Sequence, residues 1–315
     1  MLRSASSGNY PILSIFILML YYSLTRVRSY LLDEHKQLYI SAVKCLHSLP
    51  SQIDPSIMPG ARSRYDDFTA THLLQTPYIH FNGLFLAFHR YYLHLFEQAL
   101  RSECGYSGPT PYFDWSQWYK DPTKSELLNG SSTSFGGNGK YVPYRDPIVV
   151  HIPGGETLTF PPATGGGCIE TGPFVDFQMH LGPVVLDPQG PLNGTGYNPR
   201  CITRDISTVV SDYLRPSNIT KLFGTSNLEE FNNLIDNSIG LHASAHFMIG
   251  GIQMDPFASP SDPYFWPHHG MIDYLWTVWQ GQDLENRPQQ VTGTEIIGNR
   301  KTILLPPFSL PVPIC

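Results

Sequence analysis

The chain is 315 residues long, 41% hydrophobic but only 15% charged, and carries a formal net charge of -6 at pH 7. A chain of this length buries a core and a concave site without needing a metal or a disulfide merely to fold. Its acidic balance, with no run of Lys and Arg interleaved with aromatics, argues against a surface that follows a phosphate backbone, so no nucleic-acid partner is expected.

The stretch from Ser4 to Thr25 has no charged residue, and its core from Pro11 to Leu24 is strongly apolar. In length it falls between the apolar region of a signal peptide and the ~20 residues of a membrane helix, and Ser23-Leu24-Thr25 is a weak cleavage pattern. Residues 1–29 are therefore expected to form a signal peptide or a membrane anchor. Sequons at Asn129, Asn193 and Asn218 place the body of the protein in the secretory lumen if they are glycosylated. Arg26 and Arg28 argue the other way, because basic residues flanking a span favour the cytosolic side. The cysteines side with the sequons: Cys45, Cys104, Cys168, Cys201 and Cys315 contain no C-x-x-C pair and read as up to two bridges in an oxidising compartment, with Cys315 the odd one.

From about Tyr30 to Leu49 apolar residues recur near a helical period, ending at Pro50. His35 and His47 on this helix read as surface or packing residues. The next segment carries His72, His80 and His89 in a strongly aromatic setting, where a buried imidazole needs a partner or a metal to offset its desolvation. Long side chains at i, i+3 and i+4 from Phe85 to Arg101 predict a core helix closed by Cys104-Gly105. From Pro111 to about Asn198 the chain is rich in Gly, Pro, Ser and Thr, which predicts ordered loops and short strands around the core, and His151 and His180 within it read as structural. Helical patterning returns at Ile206–Leu214 and at Leu228–Ile235.

His242 and His246 follow, four residues apart and so on one helix face, with His268 and His269 further on. The pair is not the zinc-protease motif, because Ala243 stands where that motif needs a glutamate base. No carboxylate lies at ligand spacing near these residues, and an all-imidazole site suits copper, zinc or nickel. Two such triads suggest a pair of ions, and redox-active copper is the pair that does oxygen chemistry.

Two long motifs carry a resemblance. His80, Phe85, Phe88-His89-Arg90, Leu93 and Glu97 form one; Asp262, Pro263, Phe265, His269 and Asp273 form the other. Together with Tyr65-Asp-Asp-Phe, Cys104-Gly-Tyr, Pro111-Tyr-Phe-Asp-Trp and His246-Phe-Met-Ile-Gly-Gly, they make residues 30–280 similar to the tyrosinase, catechol oxidase and haemocyanin family of binuclear copper proteins. The chain most resembles the short fungal polyphenol oxidases and, more loosely, the tyrosinase-like enzymes of ustiloxin- and phomopsin-type cyclic-peptide pathways. Position by position, the resemblance implies His72, His80 and His89 as ligands of one copper and His242, His246 and His269 as ligands of the other. It sets His268 aside as a near miss and leaves His94 as a surface or packing residue. Asp273, one turn after His269, is expected to orient that ligand as a hydrogen-bond acceptor. Ala243 and Phe265 are further candidates near the substrate.

Departures are informative. Tyr78 stands where some members carry a thioether-forming cysteine, so no such crosslink is expected. Tyr274 replaces a basic residue. No C-terminal shielding domain like that of many fungal tyrosinases is expected, residues 30–315 being read as the copper domain alone.

The resulting expectation is a mostly α fold: a helix bundle holding a binuclear copper centre in its core, wrapped by long loops with few short strands. The resemblance implies an oxidoreductase that uses two coppers and O2 to oxidise phenols or catechols, on a phenolic small molecule or a Tyr-containing peptide of fungal secondary metabolism. Its alternatives are a haemocyanin-like oxygen binder and a catalytically degenerate relative. Because Ala243 offers no hydrogen-bonding side chain to help deprotonate a monophenol, and no carboxylate lies closer upstream than Asp236, catechols are expected to be the better substrates.

Overall fold

The computed structural model describes residues 31–152 and 156–293. The apolar N-terminal segment and Cys315 lie outside them. No helix among the described residues is long and apolar enough to cross a membrane.

Helix α1 spans Asp33–Ser48, α2 Arg64–Ile79 and α3 Phe85–Cys104. After the loop region come α4 (Pro216–Phe223), α5 (Leu228–Ile235), α6 (Leu241–Ile249) and α7 (Phe265–Gly281). Helix α3 packs along α7 and α1, and α6 packs on α7, so α1, α2, α3, α6 and α7 enclose one aromatic core. At its centre Trp266 stacks on Phe96 with ring centroids 3.5 Å apart.

Helix ends deliver the histidines. Ser63 caps α2 in a reciprocal capping box with Asp66, which satisfies two of the free N–H groups at the helix start. At the other end, Pro77 lacks the N–H that the last turn needs, and the chain leaves the helix at His80 in extended conformation. Gly105 closes α3 in the left-handed conformation (φ 69°), the conformation glycine adopts without a Cβ clash.

The region between α3 and α4 is loop with short antiparallel pairs. Strand β1 (Gly139–Tyr141) pairs with β4 (Gly166–Ile169), β2 (Ile148–His151) with β3 (Thr157–Phe160), and β5 (Gln178–Met179) with β6 (Arg200–Cys201). Disulfides Cys45–Cys104 and Cys168–Cys201 staple α1 to the end of α3 and β4 to β6. These are the two bridges that the cysteine count allows.

The expected helix at Ile206–Leu214 shrinks to a single 3-10 turn at Ser211–Leu214. Its backbone is taken by neighbours instead: the Ile206 N–H donates to Asn138 Oδ1 and the Ser207 N–H to Met248 O. Tertiary hydrogen bonds override a weak local helical pattern here.

Candidate metal centre

Two clusters of buried imidazoles meet in the core. His72, His80 and His89 form one, from the middle of α2, its C-terminal end and α3. His242, His246, His268 and His269 form the other, from α6 and the first turns of α7; within each cluster one nitrogen per ring lies within 4.8 Å of every other. The clusters adjoin, since the rings of His89 and His269 stack at 4.4 Å.

The tautomers follow from fixed acceptors. A backbone carbonyl can only accept, so the ring nitrogen facing it carries the hydrogen. His72 Nδ1 donates to Phe257 O at 2.9 Å, His80 Nδ1 to Thr76 O at 3.3 Å and His89 Nδ1 to Phe85 O at 2.8 Å. In the second cluster His246 Nδ1 meets Gln253 Oε1 at 2.7 Å.

Burial keeps these rings neutral. Desolvation lowers all seven imidazoles: His80 to about 4, His246 to about 3, and His72, His89, His242, His268 and His269 well below the usual value. A neutral ring with its hydrogen on Nδ1 presents only a lone pair at Nε2. Yet His72 and His89 bring their Nε2 atoms to 3.4 Å, and His246 brings its own to 3.1 Å from His242 and 3.3 Å from His269. In the first cluster lone pairs converge with no proton between them, which calls for a cation; in the second, only His246 has its Nε2 fixed bare, and nitrogens bound to one ion at ~2.0 Å lie about 3.3 Å apart, close to the spacings in both. The donor set fits a pair of imidazole-ligated metals.

Around this centre the structure gives roles to residues that the sequence did not place there. Asp236, legible in the sequence only as the nearest upstream carboxylate, is buried, accepts from the Phe81 N–H at 2.5 Å, and brings Oδ1 to 3.8 Å from His242 Nδ1. Burial pushes its carboxyl well above the ordinary range. Set six residues from His242, it follows no helix-face spacing that would have marked it. Gln253 likewise reaches His246 only because the chain turns back at Gly250-Gly251. His268 is fully buried with no partner for either ring nitrogen among the described residues, and its ring lies nearly parallel to those of His242 and Tyr264.

One expectation is corrected. Asp273 does not orient His269, whose Nδ1 has no partner among the described residues. It pairs with the guanidinium of Arg90, which also donates to Thr277 Oγ1 and Gln280 Oε1 and lies over the Trp276 ring. The side chain faces α3, where a cation is a stronger partner for a carboxylate than a neutral imidazole is. Tyr274, the departure beside it, stacks on Tyr112 at 4.5 Å.

Phe265 is fully buried, stacked on His269 at 4.0 Å and set edge-on to His72. It wedges the two clusters into place and offers no surface to a substrate. Ala243 sits in an apolar patch with Phe247, Val150, Ile152, Val210 and Met254, against which Phe81 and Phe160 also pack. The β2–β3 hairpin therefore backs the second cluster. His94 and His151 are exposed, and His180 donates to Asp66 at 2.7 Å, so these three are elsewhere.

Residues 62–282 match the family model described as the common central domain of tyrosinase. The chain belongs to the tyrosinase family. The tyrosinase-like protein orsC of Emericella nidulans is 43% identical over 281 residues, covering 84% of this chain and 76% of that protein. The tyrosinase-like protein phomQ1 of Diaporthe leptostromiformis is 32% identical, covering 81% of this chain and 61% of that protein. Among solved structures, a mutant polyphenol oxidase from Thermothelomyces thermophila superposes with a TM-score of 0.77 at 39% identity, covering 82% of this chain and 70% of that one. The protein is thus a tyrosinase-like oxidase, and the family implies a dicopper centre that uses O2.

Proposed function

We propose that His72, His80 and His89 hold one copper ion and His242, His246 and His269 the other, and that the pair oxidises catechols in preference to monophenols. The convergence of buried, neutral imidazole nitrogens in both clusters, with Nε2 left bare on His72, His80, His89 and His246, carries this reading. Copper cycling between its two oxidation states supplies the electron transfer to O2. The protein's own residues do the rest: carbonyl oxygens of Phe257, Thr76 and Phe85 hold the first three rings, and the buried aromatic shell of Phe85, Phe265 and Tyr92 keeps water from them.

A phenolic ring is the partner, as a small molecule or as the Tyr side chain of a peptide, in keeping with the tyrosinase family to which the chain belongs. The secretory pathway is the proposed location, reached through the apolar N-terminus as leader or anchor. Two disulfides and the exposed sequons Asn129 and Asn193 support it, whereas the Asn218 amide is engaged with Asp212 O and Tyr213 O.

Metal analysis of the purified protein should give two coppers, with the near-ultraviolet absorption of an oxygenated dicopper centre after reduction and exposure to O2. His89→Ala and His246→Ala should abolish that absorption and His94→Ala should not. A single zinc and no band would overturn the proposal.

A further inference from the structure

We propose that Gln253 is a positioning residue that fixes the tautomer of His246, so that the second metal position depends on a side chain where the first depends on the backbone. The inference rests on the copper reading above for its consequence, but its first test does not.

An amide can present either its oxygen or its nitrogen. Here the choice is forced: Gln253 Nε2 faces Ser259 O at 2.9 Å and Asp262 O at 3.4 Å, and carbonyls can only accept. Oε1 must then face His246, and at 2.7 Å it accepts from Nδ1–H. That leaves His246 Nε2 bare and aimed at His242 and His269.

The glutamine arrives by a turn that has little room to relax. Gly250 and Gly251 both have positive φ (71° and 58°), and a Cβ on them would lie 2.6 Å from Asp205 O and 1.9 Å from Thr203 O respectively. Gln253 itself is 1% exposed, so water does not compete for the imidazole.

The contrast with the first position gives the inference its weight. All three rings there are set by main-chain carbonyls, which no substitution removes. In the second, His242 has only Asp236 at 3.8 Å and His269 Nδ1 has no partner among the described residues. Gln253 is therefore the one short Nδ1 contact in that cluster among the described residues. Acceptors behind a metal-bound imidazole fix its orientation and raise its basicity, and losing one costs about 10–100-fold in metal affinity.

The test begins with the full-length chain stripped of metal. Nitrogen-15 NMR of the imidazoles should show His246 as the Nδ1–H tautomer, lost or mixed in Gln253→Leu and retained in Gln253→Glu, which keeps an acceptor. Copper(I) titration against a competing chelator should then show the second copper weakened about 10–100-fold in Gln253→Leu, with the first unchanged and Gln253→Glu close to wild type. Both variants lose the amide N–H bonds to Ser259 O and Asp262 O. If the glutamine only ties the chain together, both weaken copper alike and the His246 tautomer does not change, which overturns the proposal. A shifted tautomer with unchanged affinity overturns it as well. A chain that binds no copper, yet whose His246 tautomer still follows Gln253, sinks the copper reading and leaves the tautomer assignment standing.

Discussion

Arg204 and Asp262 are both fully buried and meet through two short hydrogen bonds, 2.9 and 2.8 Å, while Arg204 also reaches Gly136 O at 3.1 Å. Asp262 opens the second sequence motif, and here it fixes the approach of α7 and so the position of His269. Removing one partner of a buried pair strands the other charge, at about 3–5 kcal/mol. Arg204→Met should lower the unfolding free energy of the protein by that amount in a urea titration, and an unchanged midpoint would show the pair to be dispensable. Ala243 is a different case, small and 8% exposed beside His242. A monophenol with a pKa near that of Tyr, about 10, is almost wholly protonated at neutral pH, and Ala243 has no group to help remove the proton. Steady-state rates should favour catechols well above matched monophenols, and Ala243→Asn should recover part of the monophenol rate. Equal turnover on both substrates in the wild type would refute the argument.

Between elements, the disulfides hold what helix packing alone leaves loose. Cys45–Cys104 closes a loop with a sequence separation of 59 and ties α1 to the C-terminus of α3, the helix that carries His89. Loss of a native bridge typically costs about 2–5 kcal/mol, because the unfolded chain gains back the freedom the crosslink removed. Replacing both cysteines by serine should lower the thermal midpoint measurably in calorimetry while leaving copper content intact, because no ligand contacts the bridge. Loss of copper at temperatures where the variant is still folded would mean that α3 needs the bridge to hold its register.

Across the whole molecule, the seven buried imidazoles and polar groups away from them together set the acid limit of stability. His47 lies on α1 with its ring against Phe177 and its Nε2 donating to Gln178 O at 2.8 Å. Burial lowers its pKa below 6.5, with the Gln178 hydrogen bond offsetting part of that shift. Because the unfolded chain takes up this proton first, the contribution is present above about 6.5 and is lost as pH falls below it. Asp66 adds a second step: burial raises its carboxyl, but the hydrogen bond and charge of His180 and the Arg62 and Ser63 N–H groups hold it below 3.8. A depressed carboxylate stabilises above its unfolded value and loses that stabilisation as pH falls through the folded one. Urea midpoints should therefore decline on acidification in two stages. His47→Phe should make the upper stage shallower, leaving the share of the seven buried imidazoles, and should keep the lower, and a wild-type profile that stays flat from pH 7 to 5 would contradict the assignment.

The sequence by itself determined the helices that carry strong periodicity and the loop-rich middle, because spacing along one helix is local information, and the family resemblance singled out six histidines as the expected ligands. Leu228–Ile235 and Phe85 onward were legible for that reason. The tertiary structure decided everything that depends on which elements face each other. Asp273 turned to Arg90 because α3 lies alongside α7; Gln253 reached His246 because two glycines fold the chain back; Asp236 reached His242 from the end of α5, and His268 joined the histidines because α6 packs on α7. A side chain's partner across the core is set by packing between segments distant in sequence, and hydrogen-bond direction is set by which fixed carbonyl waits there, neither of which is written in the order of residues alone.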